Sequence, residues 1–377
     1  MVNVNAHLHT PWSFSAFDSV GQALDMAAEQ DVKVVGINDF YTTDGYAEWA
    51  DGCRTRRLYP LFNIEMIALD GQFQREGMRV NDPGNPGRTY LSGNGLACPV
   101  SIPEPYASRL AAVREESNAQ VRAMCDKLNT VLESAGAGFT LGIGEIERTI
   151  TKGNVRERHL AKALRLAVYE RFTDDDGRKT LLEKLFGGKA LKSNIGDSAG
   201  VENEIRGNLL KAGGAAFVAE DPRAFLPVAD VVEIIEAAGG IPTYPFLADD
   251  AAGNFTDYEG DLPKAAADLR AKGIHSTEFI TTRNSIEVME RYSRWLWDNG
   301  FVVTFGSEHN TPAMEPTELF ARGGAPLTPF LREINYKGAC VIAAHQDTYA
   351  RTGALYDPAR RDEYAALGDK LIQETIR

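Results

Sequence analysis

Val2-Asn-Val-Asn-Ala-His-Leu-His-Thr10 is a short β-prone run that ends in His7-x-His9. The residues after it, Pro11-Trp-Ser-Phe-Ser-Ala-Phe-Asp-Ser19, read as a turn. In a strand, residues i and i+2 share a face. His7 and His9 can therefore present two imidazoles to one point at the strand's end, and neutral imidazole is a common metal ligand. A bare His-x-His reads equally well as two polar residues on a strand face, so the rest of the chain has to decide.

Outward from this strand, helical and extended patterns alternate. Residues 20–30 carry apolar positions at helical spacing. Val32-Lys-Val-Val-Gly-Ile37 reads as a buried parallel strand that delivers Asn38-Asp39-Phe40 at its C-terminal end, before a helix opening near Thr43 or Asp44. Leu61-Phe-Asn-Ile-Glu-Met-Ile-Ala68 is a third strand, with Glu65 in apolar surroundings. A buried carboxylate is costly unless it is paired or metal-bound, which makes Glu65 informative. Residues 81–95 form a turn-rich stretch with one cation, Arg88. Its glycines match no phosphate-binding fingerprint, so a structured surface loop is the better reading, with Arg88 as a phosphate or carboxylate ligand the lesser one.

Between residues 101 and 226 helical patterns dominate, at 106–135, 155–172, 179–186 and 201–212, separated by turns such as Asp174-Asp-Asp-Gly177. This predicts a helical insertion or cap, in which His159, taken alone, reads as a hydrogen-bonded core or surface histidine. Alternation then resumes. A helix over 228–238 stops at Gly239-Gly240. Strands follow at Ile241-Pro-Thr-Tyr-Pro-Phe246, Ser276-Thr-Glu-Phe-Ile280 and Phe301-Val-Val-Thr-Phe305, and a last one at Ala339-Cys-Val-Ile-Ala-Ala344. Seven or eight strands in βα order favour a parallel α/β barrel, with 1–100 and 227–377 forming its two parts and 101–226 the insertion. In such barrels chemistry gathers at the C-terminal ends of strands, where His9, Asp39, Glu65, Tyr244 and Glu308-His309 fall.

Bulk composition narrows the function. The 377 residues include 53 acidic against 40 basic, a formal net charge of −13, with 44% hydrophobic and 25% charged residues. That is an ordinary globular composition, and its surface repels nucleic-acid phosphates. The four cysteines show no CxxC pairing, no secretory-type segment opens the sequence, and no apolar run would span a bilayer. The expectation is a cytoplasmic protein that engages neither nucleic acid nor membrane; nothing sets its oligomeric state.

The order of these motifs resembles the polymerase-and-histidinol-phosphatase (PHP) domain family. His7-Leu-His9 matches that family's first-strand motif and Asn63-Ile-Glu65 its glutamate motif. Arg158-His-Leu-Ala161 is similar to a helical motif of one branch, Ala238-Gly-Gly-Ile-Pro-Thr-Tyr-Pro245 aligns with a His-Pro strand, and Gly306-Ser-Glu-His309 with a terminal Gly-Ser-Asp-x-His. The resemblance spans roughly residues 2–312. It implies a distorted (β/α)7 TIM-like barrel and hydrolysis of phosphoesters at a site of up to three metals. It turns His159 into an expected ligand beside His7, His9, Glu65 and Glu308.

The departures from the family pattern are specific. Phe40 and Tyr244 stand where the family has histidines, and Glu308-His309-Asn310 replaces Asp-x-His. Phe cannot ligate, and Tyr and Asn ligate weakly or rarely. The resemblance therefore implies one well-furnished position for a divalent ion (Zn, Mn or Fe), and a second using Glu65 and His159, in place of a trinuclear site. Asp39 and His309 are the expected catalytic or ligand-orienting groups; Arg88, Arg158 and Tyr244 the expected contacts to a small phosphorylated substrate. The expected function is a metal-dependent phosphoesterase. The alternatives are a mononuclear hydrolase of an amide or ester and a non-catalytic metal- or ligand-binding protein.

Overall fold

The computed structural model describes residues 2–377. The chain runs β1 (Asn3–Leu8), α1 (Val20–Glu29), β2 (Val32–Phe40), α2 (Tyr46–Arg56), β3 (Tyr59–Leu69), α3 (Gly71–Glu76) and β4 (Arg88–Asn94). Helices α4 (Tyr106–Ser134), α5 (Ile143–Thr149), α6 (Glu157–Arg171), α7 (Asp175–Leu185) and α8 (Ser198–Ile205) follow. Then come α9 (Val228–Ala237), β5 (Ile241–Phe246), α10 (Leu262–Ala271), β6 (Ser276–Ile280), α11 (Ile286–Asp298), β7 (Val302–Gly306), α12 (Pro329–Thr352) and α13 (Arg361–Ile376).

The seven strands form one sheet in chain order. β1–β2–β3 and β5–β6–β7 are parallel, and β4 runs antiparallel to both neighbours. The sheet curls until its edges meet: Glu308, just past β7, donates its N–H to the carbonyl of His7 (2.9 Å) and accepts from the N–H of His9 (2.8 Å). Gly306 permits this approach, because a β-carbon there would lie 2.2 Å from the Cβ of His7. The result is the expected distorted, TIM-like α/β barrel with a helical insertion.

Two expectations about elements are corrected. Residues 88–94 are not loop but the antiparallel strand β4; the turn residues that flank it at 81–87 mask a short run whose Thr89 and Leu91–Asn94 are buried. Residues 339–344 are not a strand but the fully buried middle of α12, and a continuous apolar run cannot by itself distinguish the two.

The insertion has its own apolar core, drawn from residues between 121 and 216, with Leu128, Leu132, Leu164, Leu182 and Leu210 at its centre. Leu110 and Val113, at the start of α4, pack instead into the core that surrounds the barrel. Helix α4 thus contributes residues to both cores. The barrel's interior is polar. Asn5, His7, Asn38, Asn63, Ser92, Glu278 and Thr304 are all fully buried there. Buried polar groups cost several kcal/mol unless they are satisfied, so such an interior points to function rather than to stability.

Candidate metal centre

His7 lies on β1 and His9 one residue beyond its end, and both are fully buried. Alternation along the strand sends both rings inward, where their Nε2 atoms stand 3.3 Å apart. Glu65, pointing in from β3, brings Oε2 to 3.1 Å from His9 Nε2 and 3.9 Å from His7 Nε2. These three residues are the one group of potential ligands whose donor atoms converge within 4.8 Å among the described residues.

The outer face of each ring is anchored. His7 Nδ1 lies 3.1 Å from Glu278 Oε1, which also accepts from the Ser92 hydroxyl (2.6 Å). The Asn38 amide nitrogen sits 2.9 Å from His7 Nδ1 and 3.1 Å from its Nε2. On His9, Nδ1 meets Ser13 Oγ at 3.3 Å, and the Ser13 hydroxyl donates to Asp39 Oδ1 at 2.5 Å. Asp39 is fixed in turn by the Thr10 N–H (2.8 Å) and hydroxyl (2.6 Å). A histidine whose Nδ1 is held by a carboxylate or hydroxyl is oriented to ligate through Nε2.

The electrostatics carry the same tension. Burial pulls His7 down, but the charges of Glu278, Glu65 and Glu308 and the hydrogen bond to Glu278 win and raise it to about 9. Burial and the adjacent His7 hold His9 well below the ordinary histidine range. Burial lifts Glu65 to about 7, against the attraction of His7. Burial also takes Asp39 to about 6, opposed by its bonds to Ser13 and Thr10.

The donor set fits a divalent ion. Ligands about 2.0–2.2 Å from a shared tetrahedral ion are themselves about 3.3 Å apart, which is the spacing of the two imidazole nitrogens. Glu65 Oε2 is buried without a hydrogen-bond partner. A buried, unsatisfied carboxylate oxygen beside two imidazoles is what a cation would complete.

Glu65 and Glu308 open onto a cavity of about 330 Å³ that is also lined by Phe14, Phe40, Arg156, Arg158, Arg206, Arg283 and Asn310. Two of these guanidiniums have no carboxylate within 4.0 Å among the described residues. Arg156 donates to Ser117 Oγ (3.1 Å) and lies over the Phe40 ring, and Arg158 donates to Asn203 Oδ1 (3.2 Å) and lies over Phe14. Burial and the neighbouring Arg206 charge bring Arg158 down to about 10. Cations crowded in this way favour an anion between them.

The other expected site residues fall as follows. Phe40, at the position of a family histidine, stacks on His9 with centroids 4.9 Å apart. Glu308 lies at the cavity edge, outside the converging group, with its carboxylate on Arg283. His159 stands apart: its Nδ1 accepts the Arg156 N–H (2.9 Å) and closes the first turn of α6, and it faces a second cavity with Lys162 and Arg165.

His309 is buried beside Glu308. Both of its nitrogens are engaged, by Ser307 Oγ (2.8 Å) and the Glu315 carbonyl (2.7 Å), and its ring stacks on Phe17. Tyr244, expected as a substrate contact, is fully buried and donates to Glu259 Oε1 (2.7 Å). Arg88 lies outside this cavity, between Glu220 and Asp82 and over the Phe225 ring.

Glu278, Arg156, Arg206 and Arg283 are missed by the sequence reading. Only Glu278 left a signal, the same one as Glu65: a carboxylate inside a short buried strand.

With this geometry in place, comparison with known proteins is informative about shape. No family model matches the sequence, and no curated protein matches it. Two solved structures are similar. One is described as a metal-dependent phosphoesterase from Bifidobacterium adolescentis, with TM-score 0.57 and 16% identity, over 88% of this chain and 95% of that one. The other is an amidohydrolase from Chromobacterium violaceum with bound sulfate and no metal, with TM-score 0.54 and 19% identity, over 88% and 96%. The class these define is one of fold: a distorted TIM-type α/β barrel, shared at low sequence identity. No helix of the described residues is long and apolar enough to cross a membrane.

Proposed function

We propose that this protein is a metal-dependent hydrolase that cleaves a small phosphomonoester. The observation that carries this reading is the convergence of His7, His9 and Glu65, with Glu65 opening onto a cavity whose walls hold Arg156 and Arg158 without carboxylate partners among the described residues. His7, His9 and Glu65 would hold one divalent ion (Zn, Mn or Fe). Such an ion supplies a water of lowered pKa and a Lewis acid for a phosphoryl oxygen.

The chain's own groups do the rest. Arg156 and Arg158 bind and orient the anion and offset charge developing on it. Asp39 acts through Ser13 on His9, and Glu278 directly on His7, to fix both rings. Phe40 packs against His9 and excludes water from that side. The similarity to a described phosphoesterase supports the reaction class. The cavity suits a small molecule rather than a polymer, in keeping with the acidic chain.

A second reading, a mononuclear amide or ester hydrolase, is favoured by the single three-donor group and by the similarity to an amidohydrolase. Full-length protein loaded with Mn²⁺ or Zn²⁺ and assayed on phosphomonoesters, carboxylic esters and amides separates the two. Turnover of phosphomonoesters that is abolished by chelator is the expected result.

A further inference from the structure

Arg283 ends the short turn (Thr281–Arg283) that follows β6 and lines the cavity with Glu65 and Glu308. Its one ionic or hydrogen-bond partner among the described residues is the Glu308 carboxylate, met by Nη2 alone. The Arg283 side chain is 45% exposed and that of Glu308 10% exposed. An ion pair made at a single point by a half-exposed guanidinium is weakly held, so this one exchanges readily.

Glu308 itself is not free to leave. Its backbone is hydrogen-bonded to His7 on one side and His9 on the other. Its φ of 69°, followed by 59° at His309, is a left-handed pair that non-glycine residues adopt only when surroundings impose it. The barrel's closure thus fixes the Glu308 backbone between His7 and His9, while its carboxylate sits at the cavity edge, where Arg283 neutralises it.

We propose that Arg283 receives the substrate's anionic group and, in exchanging partners, releases Glu308 to the cation held by His7, His9 and Glu65. The inference rests on the metal-dependent reading and adds a coupling to it. A tetrahedral oxyanion offers a guanidinium two acceptor oxygens, against the one that Glu308 gives. Once Arg283 turns to the anion, Glu308 stands beside two imidazoles without a compensating charge, and a divalent ion there gains a further anionic neighbour. Anion and cation then strengthen each other's binding, and by linkage each does so by the same factor.

The test is calorimetric titration of Mn²⁺ into the full-length, chelator-treated chain at constant ionic strength, with and without sodium sulfate. Sulfate is expected to tighten Mn²⁺ binding by about fivefold or more, within the ordinary range of coupling between sites. Arg283→Gln is expected to tighten Mn²⁺ binding without sulfate and to flatten the sulfate effect. In a Glu308→Gln background, Arg283→Gln is expected to change nothing. An Arg283→Gln chain that binds Mn²⁺ no more tightly than the native chain overturns the proposal. So does one that gains equally with or without Glu308, which is simple charge repulsion, and so does a sulfate effect that survives Arg283→Gln, which is direct sulfate–metal contact. A native chain that binds no Mn²⁺, Zn²⁺ or Fe²⁺ overturns the metal-dependent reading itself.

Discussion

Glu278 Oε1 lies 3.1 Å from His7 Nδ1, with both side chains fully buried, so the ring that turns its Nε2 towards His9 is fixed from behind by a carboxylate. β6 supplies that carboxylate and β1 the histidine, and the curl of the sheet brings them together across the barrel. Glu278→Gln keeps the shape and removes the charge. It is expected to weaken divalent-metal affinity by roughly 10–100-fold, as loss of a ligand-orienting partner does, while the chain stays folded. Competition with a metal-binding dye measures it, and an unchanged affinity would separate Glu278 from the centre.

Arg158 is an anion contact if the cavity holds a phosphoryl group. Arg158→Gln removes charge from a wall that has no carboxylate partner for it. The expected outcome is a KM for phosphomonoesters raised by roughly tenfold or more, from loss of a charge-assisted hydrogen bond, with kcat changed less. Steady-state kinetics of the metal-loaded protein decide the point; a fall in kcat alone would place Arg158 elsewhere in the reaction.

Tyr244 is expected to matter for stability and not for turnover. Its hydroxyl donates to the buried Glu259 carboxylate, which also accepts the N–H groups of Leu247 and Ala248. Tyr244→Phe should cost about 1.5–3 kcal/mol in denaturant unfolding and leave kcat/KM unchanged. A selective loss of activity would return Tyr244 to the site.

Glu157, on the cavity wall, gives the pH dependence. Burial raises it, but Lys211 (3.3 Å), Arg206 (2.9 Å) and the charge of Arg156 outweigh that and hold it well below the usual carboxylate range. The folded state therefore binds this proton less readily than the unfolded chain does. Its contribution is fully present above the ordinary glutamate range, near pH 4 to 5, and is lost as pH falls below it. Unfolding midpoints at about pH 6 and pH 3.5 should fall further apart for the native chain than for Glu157→Gln. Equal acid sensitivity in the two would contradict the assignment.

Much of the centre was legible because it sits on regular strands. The two-residue period puts His7 and His9 on one face, and the cost of burying a carboxylate marks Glu65. Glu278 carried the same mark, but without a second ligand-type residue beside it in Ser276–Ile280 its partner across the barrel could not be read. The arginines were illegible for another reason. Arg156, Arg206 and Arg283 are far apart in sequence, and only the docking of the insertion onto the barrel makes them one wall. The position of His159 was not legible, because a motif fixes residue order and not direction. In this chain the imidazole is used to close the N-terminal turn of α6.

The most direct test is elemental analysis of protein purified without chelator or histidine tag, set beside His9→Ala prepared in the same way. The account predicts about one equivalent of Zn, Mn or Fe in the native chain and its loss in the variant, with the fold retained by circular dichroism. No metal in the native chain after reconstitution with all three ions would contradict it. An equivalent that survives His9→Ala, or three tight equivalents in the native chain, would contradict it as well.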